Sequence, residues 1–562
     1  MTREFRQRER IAYFTMEIAL RSDIPTYSGG LGVLAGDTVR SAADLELPLV
    51  TVSLASREGY FRQTLDANGR QQEAPDPWDP SKYAQPLQAR VVVPIEGHDV
   101  WVGGWLYVLE SYLGSRQPVI LLDTDLGDNR PEDRNLTHYL YGGDETYRLK
   151  QEMVLGIGGA RLLHALEFRV NEYHLNEGHA ALLTLELLNR YSYPSRDLRP
   201  GESPYDIPRV RELCNFTTHT PVDAGHDKFS YPLVERLLGD FFDLPTLKRL
   251  AGDDQLNMTR LALNTSEYIN GVAKRHAETS NHLFPGYHVR AITNGVHPSA
   301  WTHPAFGKVY DEQLRGWRHE PELLVRVDCC IPDNDIWQAH VQAKQALIER
   351  VRAQTGVELD PGHFTLGFAR RMTAYKRPDL LFTDLQRLRT IARQRPIQIV
   401  LAGKAHPRDD EGKRAIESLH AHIRELAGDI TMVFLPNYDM AIAAAMVSGV
   451  DVWLNTPLPP WEASGTSGMK AALNGVPNLS VLDGWWAEGC IEGITGWAIG
   501  NGDPGENDAT FLYDKLEQVV LPLYYDNRDG WITVMKGAIA KNASFFNSHR
   551  MMRRYASDAY VR

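Results

Sequence analysis

Val450-Asp-Val-Trp-Leu454 is an apolar run, and Glu462-Ala-Ser-Gly-Thr-Ser-Gly-Met-Lys-Ala-Ala-Leu473 follows it closely. The first reads as a buried strand and 468–473 as the opening of a helix. The small residues between them let a backbone approach an anion, and the helix start offers unpaired N–H groups. Lys470 falls in or just past the first helical turn. Sheltered from water there, its pKa would drop and its amine would become a nucleophile toward an aldehyde. A Gly-rich turn with a solvated lysine is the simpler reading, and for these residue types alone it is the commoner outcome. The neighbouring strand ends shift the balance.

Around this unit the pattern alternates. Strands are predicted over 365–369, 397–402, 430–435, 450–454 and 478–482, with helices over 379–394, 410–426, 441–448 and 468–473. Near-continuous apolar strands, short connections and intervening helices imply a parallel sheet covered on both faces. The first half is also α/β, with more insertions. Its strands are predicted over 11–14, 49–54, 90–95, 101–109, 118–122, 173–175, 215–218 and 287–292. Helices are predicted over 38–45, 145–166 and 180–188. Residues 57–62 and 72–83 read as a surface hairpin and loop. Residues 304–317 and beyond are less regular, which places a boundary near 305. That divides the chain into 1–305, 306–540 and a tail, 541–562, expected to pack as a helix.

With 562 residues the chain is too long for one core. Apolar content of 43% and charged content of 23% suit a globular enzyme. A net charge of −12 with no basic tract argues against nucleic acid and acidic membranes as partners. Cys214, Cys329, Cys330 and Cys490 form no C-x-x-C pair, which points to a reducing compartment and away from structural zinc. The charged start and the short apolar run interrupted by Glu17 fit neither a signal peptide nor a membrane span.

In an open parallel sheet, ligands sit beyond the carboxyl ends of the strands. In the second half those ends carry Arg370-Arg371 with Lys376, Gly403-Lys404, Asn437-Tyr438, the Glu462 loop and Asp483. Cations converging on one crevice would hold two phosphates, or one phosphate and a charged sugar transition state. Any one of them is as readily a solvated or paired side chain. In the first half, Tyr27-Ser-Gly-Gly-Leu-Gly-Val-Leu-Ala-Gly36 is either a phosphate cradle or tight helix–strand packing. His219 and His226 stand seven apart, a poor metal spacing, and suit hydrogen bonding at a strand end. Asn294-Gly295 is first a turn signal.

The stretch from Glu462 to Lys470 closely resembles the pyridoxal-phosphate loop of the glycogen/α-glucan phosphorylases. Residues 27–35, Asn294-Gly295, 370–377 and Leu482-Asp483-Gly484 resemble the same family in the same order, over nearly the whole chain. The resemblance implies two Rossmann-like lobes of the glycosyltransferase-B architecture, with the active site in the cleft between them and the tail helix packed back on the N-terminal lobe. It implies pyridoxal 5′-phosphate as cofactor. It also implies reversible, retaining phosphorolysis of an α-1,4-glucan or maltooligosaccharide by inorganic phosphate to glucose 1-phosphate, in the cytoplasm. By the same likeness Lys470 would carry the cofactor as a Schiff base, Arg370, Gly30 and Thr466 would hold its phosphate, and Tyr438 would line its pocket. Arg371 and Lys376 would grip the substrate phosphate. Glu462, Ser464, Gly465, His219 and Asn294 would bind hydroxyls of the reacting glucose, and Glu17 matches a carboxylate near the site.

In that family the cofactor phosphate passes a proton to the substrate phosphate, so fixed positive charge is needed, and no pair of catalytic carboxylates. The sequence departs from the long members in three ways. It is shorter, and no counterpart of their N-terminal regulatory extension is expected. Ser467-Gly468 stands where many have Gly-Asn, and Thr373-Ala374 where many have His-Glu. Homodimers are common in the family, and no interface is legible in the sequence. Two rivals remain open: a nucleotide-sugar glycosyltransferase of the same fold, and a glucan-binding protein without activity. Only the phosphorylase needs an amine at Lys470.

Overall fold

The computed structural model describes residues 2–222, 225–502 and 507–561. Their strands form two large sheets and two small antiparallel pairs. The first sheet has ten strands. At its centre Ile11–Thr15 pairs in parallel with Leu49–Leu54 on one side and Glu172–Asn176 on the other. Parallel pairing continues through Cys214–Thr217, Tyr268–Gly271 and Arg290–Ala291. On the other side it reaches Arg116–Asp123, beyond which His98–Glu110 and its partners run antiparallel.

The second sheet has six strands, all parallel: Thr431–Leu435, Ile397–Ala402, Phe364–Ala369, Val452–Asn455, Asn478–Val481 and Gly496–Ile499 in spatial order. Every residue of Ile11–Thr15, Leu49–Leu54, Phe364–Ala369 and Ile397–Ala402 is buried. That is the cost of covering both faces with helices, and it explains their unbroken apolar runs. Strand order reverses at Ile11–Thr15 in one sheet and at Phe364–Ala369 in the other, so each sheet opens a crevice at that strand's carboxyl end. Glu17 follows the first, and Arg370-Arg371 follows the second.

Several elements differ from the sequence reading. The first glycine-rich loop is shorter than expected, because the helix starts at Gly30 and runs to Asp44. Gly32 and Gly36 lie inside it for want of room: a methyl on Gly36 would meet the Ala19 carbonyl oxygen at 2.2 Å. Residues 333–355, in the stretch read as irregular, form one helix, Asp333–Thr355. Its buried stripe mixes Ala339, His340, Ala343 and Lys344 with Ile336 and Leu347, which dilutes the apolar period. Strands Tyr268–Gly271 and Gly496–Ile499 were not anticipated; their Asn and Gly residues read as turns.

The hairpin Arg62–Leu65/Gln71–Ala74 is no surface ornament. Gln63 and Gln71 are buried and bond the second sheet's loops. Gln63 Nε2 donates to the Gly403 carbonyl, Gln63 Oε1 accepts from Asn437 N–H, and Gln71 exchanges both its amide groups with the Ala405 backbone.

The helix Ser548–Tyr555 and the π-helical turn Ala556–Tyr560 that continues it pack on the first sheet. Met551, Met552, Tyr555 and Tyr560 share a core with Ile11, Tyr13, Val39 and Leu49. Tyr560 OH meets His174 Nδ1 at 2.6 Å, and Tyr555 OH accepts from Asn270 Nδ2 at 3.0 Å. Asp44, His297 and His549 meet in the interior between three elements. His297 Nδ1 accepts from Ala300 N–H, so its Nε2–H donates to Asp44. That bonding makes the group a pin, since Nε2 has no lone pair free for a metal. No helix of the described residues is long and apolar enough to cross a membrane.

Candidate functional site

One cavity of about 890 Å³ is lined by residues that follow both reversal strands. All the candidate site residues named from the sequence line it: Glu17, Gly30, His219, Asn294, Arg370, Arg371, Lys376, Tyr438, Glu462, Ser464, Gly465, Thr466 and Lys470. Positions 223 and 224 of the 219–226 loop lie outside the described residues.

Glu17 is almost fully buried and serves the glycine loop. Its carboxylate accepts from Ser28 N–H at 2.6 Å, Gly29 N–H at 3.3 Å and Tyr141 OH at 2.9 Å. A methyl on Gly32 would lie 2.6 Å from Glu17 Oε2, so the loop can close only on glycine. The helix Gly30–Asp44 then begins with no side-chain cap, and Gly29, Gly30 and Leu31 line the cavity. Uncapped N–H groups at the positive end of a fifteen-residue helix suit an anion.

Lys470 sits in the helix Ser467–Ala472 and is buried. Its Nζ lies 3.9 Å from the centre of the Trp301 ring. Trp301 is held by its indole N–H, which donates to Asp37 Oδ2 at 2.8 Å. Burial lowers the Lys470 pKa to about 8, partly offset by the Asp37 charge. About a tenth of the amine is therefore unprotonated at pH 7, far more than for a solvated lysine.

Three charges meet on the wall of the same cavity. Glu462 accepts from both Arg370 and Lys376. Burial pushes the Glu462 carboxyl up, but Lys376 and Arg370 outweigh it and hold the pKa at about 2. Arg370 keeps two buried donors, Nε and Nη1, with no partner among the described residues. Such orphans are expensive unless something supplies an acceptor. Arg371 is exposed to the cavity, and a methyl on Gly29 would come within 3.3 Å of its Nη2. The second candidate cation thus stands beside the uncapped helix.

The polar groups expected to meet a sugar have spare bonding capacity. Asn294 Oδ1 and Ser464 Oγ are buried without a hydrogen-bond partner among the described residues. His219 Nε2 lies 2.6 Å from Asn176 Oδ1, and the backbone N–H of His219 donates to the Glu177 carboxylate at 2.7 Å. Asn176 Nδ2 donates to Thr15, so its Oδ1 accepts and His219 Nε2 carries the proton. Burial lowers the His219 pKa to about 4, opposed by Glu177, so the ring is neutral with Nδ1 left as an acceptor. Gly465 takes a positive φ of 81° directly after Ser464, which turns the loop under Glu462. Asp483 fixes that turn by accepting from Glu462 N–H and Gly484 N–H. Tyr438 lines the same wall, its phenol pushed up by burial.

The sequence reading missed Trp301 and Asp37, which shape the surroundings of Lys470, and Tyr141, which helps hold Glu17. Trp301 lies seven residues after Asn294, and that proximity was the only local signal. Asp37 and Tyr141 act through space, and nothing in the sequence spacing ties them to Lys470 or Glu17.

Comparison with known proteins fits this arrangement. Residues 246–488 match the family model described as carbohydrate phosphorylase. The chain is 41% identical to a maltodextrin phosphorylase of Thermococcus litoralis, over 98% of this chain and 70% of that protein. It is 34% identical to a glycogen phosphorylase of Aquifex aeolicus, over 98% and 86% respectively. A glycogen phosphorylase of Mycobacterium tuberculosis is 36% identical over 98% of this chain and 70% of its own length. With a buried lysine, clustered cations and an uncapped helix around one cavity, and likeness of this extent to three such enzymes, the chain belongs to the carbohydrate phosphorylase family.

Proposed function

We propose that this phosphorylase releases glucose 1-phosphate from the non-reducing ends of α-1,4-glucans or maltooligosaccharides, using inorganic phosphate. The observation that carries the reading is Lys470: a buried amine with its pKa lowered to about 8, lining the same cavity as Arg370 with its two orphan donors. A nucleotide-sugar transferase or an inactive glucan binder has no use for that amine. The two sheets are the cores of two Rossmann-like lobes, and the cavity is the cleft between them. We assign 1–305 to the first lobe, 306–540 to the second and 541–562 to a tail that returns to the first. The enzyme is expected in the cytoplasm.

The residues suit pyridoxal 5′-phosphate. Lys470 would hold its aldehyde, Arg370, Thr466 and the N–H groups at Gly30 would hold its phosphate, and Tyr438 would flank it. When bound, the cofactor supplies a phosphate that exchanges a proton with the substrate phosphate. The chain's own residues do the rest. Arg371 and Lys376 hold the attacking phosphate, and their charge offsets the repulsion between two anions. Asn294, Ser464 and the neutral His219 take the glucose hydroxyls, with Glu462 and the Gly465 backbone beside them. Phosphate protonates the glycosidic oxygen, the bond from the anomeric carbon to that oxygen breaks, and a phosphate oxygen bonds the same carbon. The products are glucose 1-phosphate and a glucan one unit shorter.

The test is reconstitution of purified protein with pyridoxal 5′-phosphate, followed by near-ultraviolet absorbance, borohydride trapping and phosphate-dependent release of glucose 1-phosphate from maltoheptaose. Lys470→Ala should lose all three. Wild-type protein that captures no cofactor, or a Lys470→Ala variant that still turns over, overturns the reading.

A further inference from the structure

We propose that Trp461 is a stacking platform for the glucan, presenting its indole to a glucose unit beyond the one that reacts. The inference rests on the phosphorylase reading for the position of the reacting unit. Of the twelve tryptophans in the chain, two are exposed among the described residues, Trp101 and Trp461. Trp101 lies on a peripheral strand, away from the cavity. Trp461 is 42% exposed and lines the cavity immediately before Glu462. Exposing a large indole forfeits the burial that usually fixes tryptophan in a core, and an indole left open on a cavity wall suits the apolar face of a ligand.

The backbone that carries it is fixed on both sides. Trp461 N–H donates to the Leu458 carbonyl, and Leu458 N–H donates to the Tyr375 carbonyl. Arg377 holds the carbonyls of Thr456 and Pro457 and is itself paired with Asp508. On the other side Glu462 N–H is held by Asp483. The ring is steadied by Tyr375, edge-on at 6.4 Å, and the Lys376 ammonium lies 4.5 Å from the centre of the Tyr375 ring. The platform is thus tied to the loop that carries the candidate phosphate cation and to the carboxylate beside the reacting sugar. A preorganised aromatic face loses little freedom on binding. The C–H face of a pyranose is apolar and flat, and it matches an indole in size, whereas phosphate has no such face. The stacking face selects a pyranose over phosphate, and the phosphorylase reading makes that pyranose an α-linked glucose unit.

The experiment compares wild type, Trp461→Ala and Trp461→Phe as cofactor-loaded enzymes. Steady-state phosphorolysis of maltoheptaose separates KM for glucan from KM for phosphate and from kcat. Calorimetric titration with maltoheptaose measures glucan binding without turnover. Trp461→Ala should weaken maltoheptaose binding and raise its KM by about tenfold, with KM for phosphate and kcat within about threefold of wild type. Trp461→Phe should keep most of the affinity. Unchanged glucan affinity in Trp461→Ala overturns the proposal, and so does an equal loss in glucan and phosphate KM, which would mark a merely structural role. Should wild type bind maltoheptaose but fail to turn it over, the phosphorylase reading fails while the titration still decides the role of Trp461.

Discussion

At the residue scale the argument turns on which protonation state each group holds. Lys470 must be neutral to capture an aldehyde, and its pKa is held at about 8 by burial. The rate of capture of pyridoxal 5′-phosphate by cofactor-free protein should therefore rise about tenfold per pH unit below 8 and level off above it. Stopped-flow absorbance between pH 6 and 9.5, as about a dozen buffers, reads this directly; a flat profile contradicts the assignment. Arg371 faces the cavity beside Gly29, whereas Arg370 is engaged with Glu462. Arg371→Ala should then lose turnover, by about a hundredfold or more in kcat/KM, yet keep the cofactor's absorbance. Persisting phosphate-dependent turnover would exclude Arg371 from the phosphate site. Although each alone could as readily be solvated or paired, that these residues line one cavity was legible from their place after parallel strands and as a set. Trp301 and Asp37 were not, because a side chain that works by holding a neighbour has no spacing of its own.

At the element scale the strands were legible where burial is complete. Ile397–Ala402 and Leu49–Leu54 were read with their observed bounds, since every residue faces a covered side. The helix Asp333–Thr355 was not, because small and polar residues occupy much of its buried stripe. The glycine-loop helix carries a sharp expectation. A methyl on Gly32 would stand 2.6 Å from Glu17 Oε2 and 2.7 Å from Tyr27 Cβ, so Gly32→Ala must displace the carboxylate that holds Ser28 and Gly29. Activity should fall by about tenfold or more while the far-ultraviolet dichroism stays unchanged, because the helix itself tolerates alanine.

His174 offers a test of the tail's docking. Burial drives its pKa from 6.5 to about 3, so the unfolded chain takes up the proton first. The stability this neutral ring contributes is complete above pH 6.5 and falls as the pH drops toward 3, by about 1.4 kcal/mol per unit. His174→Gln should be less stable than wild type at pH 7, and the gap should narrow as the pH is lowered to 5. Urea melts at both values measure it, and a constant gap would show that His174 is not neutral in the folded state.

At the scale of the whole molecule, the hairpin Arg62–Leu65/Gln71–Ala74 joins the two sheets. The sequence reading placed a surface hairpin and loop over 57–62 and 72–83, which meets the first strand only at Arg62 and the second over 72–74, and missed the joint, because glutamine reads as surface and its partners are backbone groups far along the chain. Gln63→Ala would strand the Gly403 carbonyl and the Asn437 N–H, at a cost of about 1–3 kcal/mol. Thermal unfolding should shift down by a few degrees, and a transition that splits in two would show that the halves then melt separately.

The tail's return to the first sheet has a consequence for synthesis. A ribosome that has finished the first 305 residues has made a sheet whose outer face still lacks Met551, Met552, Tyr555 and Tyr560. The growing chain must carry that greasy, uncovered surface until residues 551–560 are translated, an interval in which exposed apolar side chains favour aggregation.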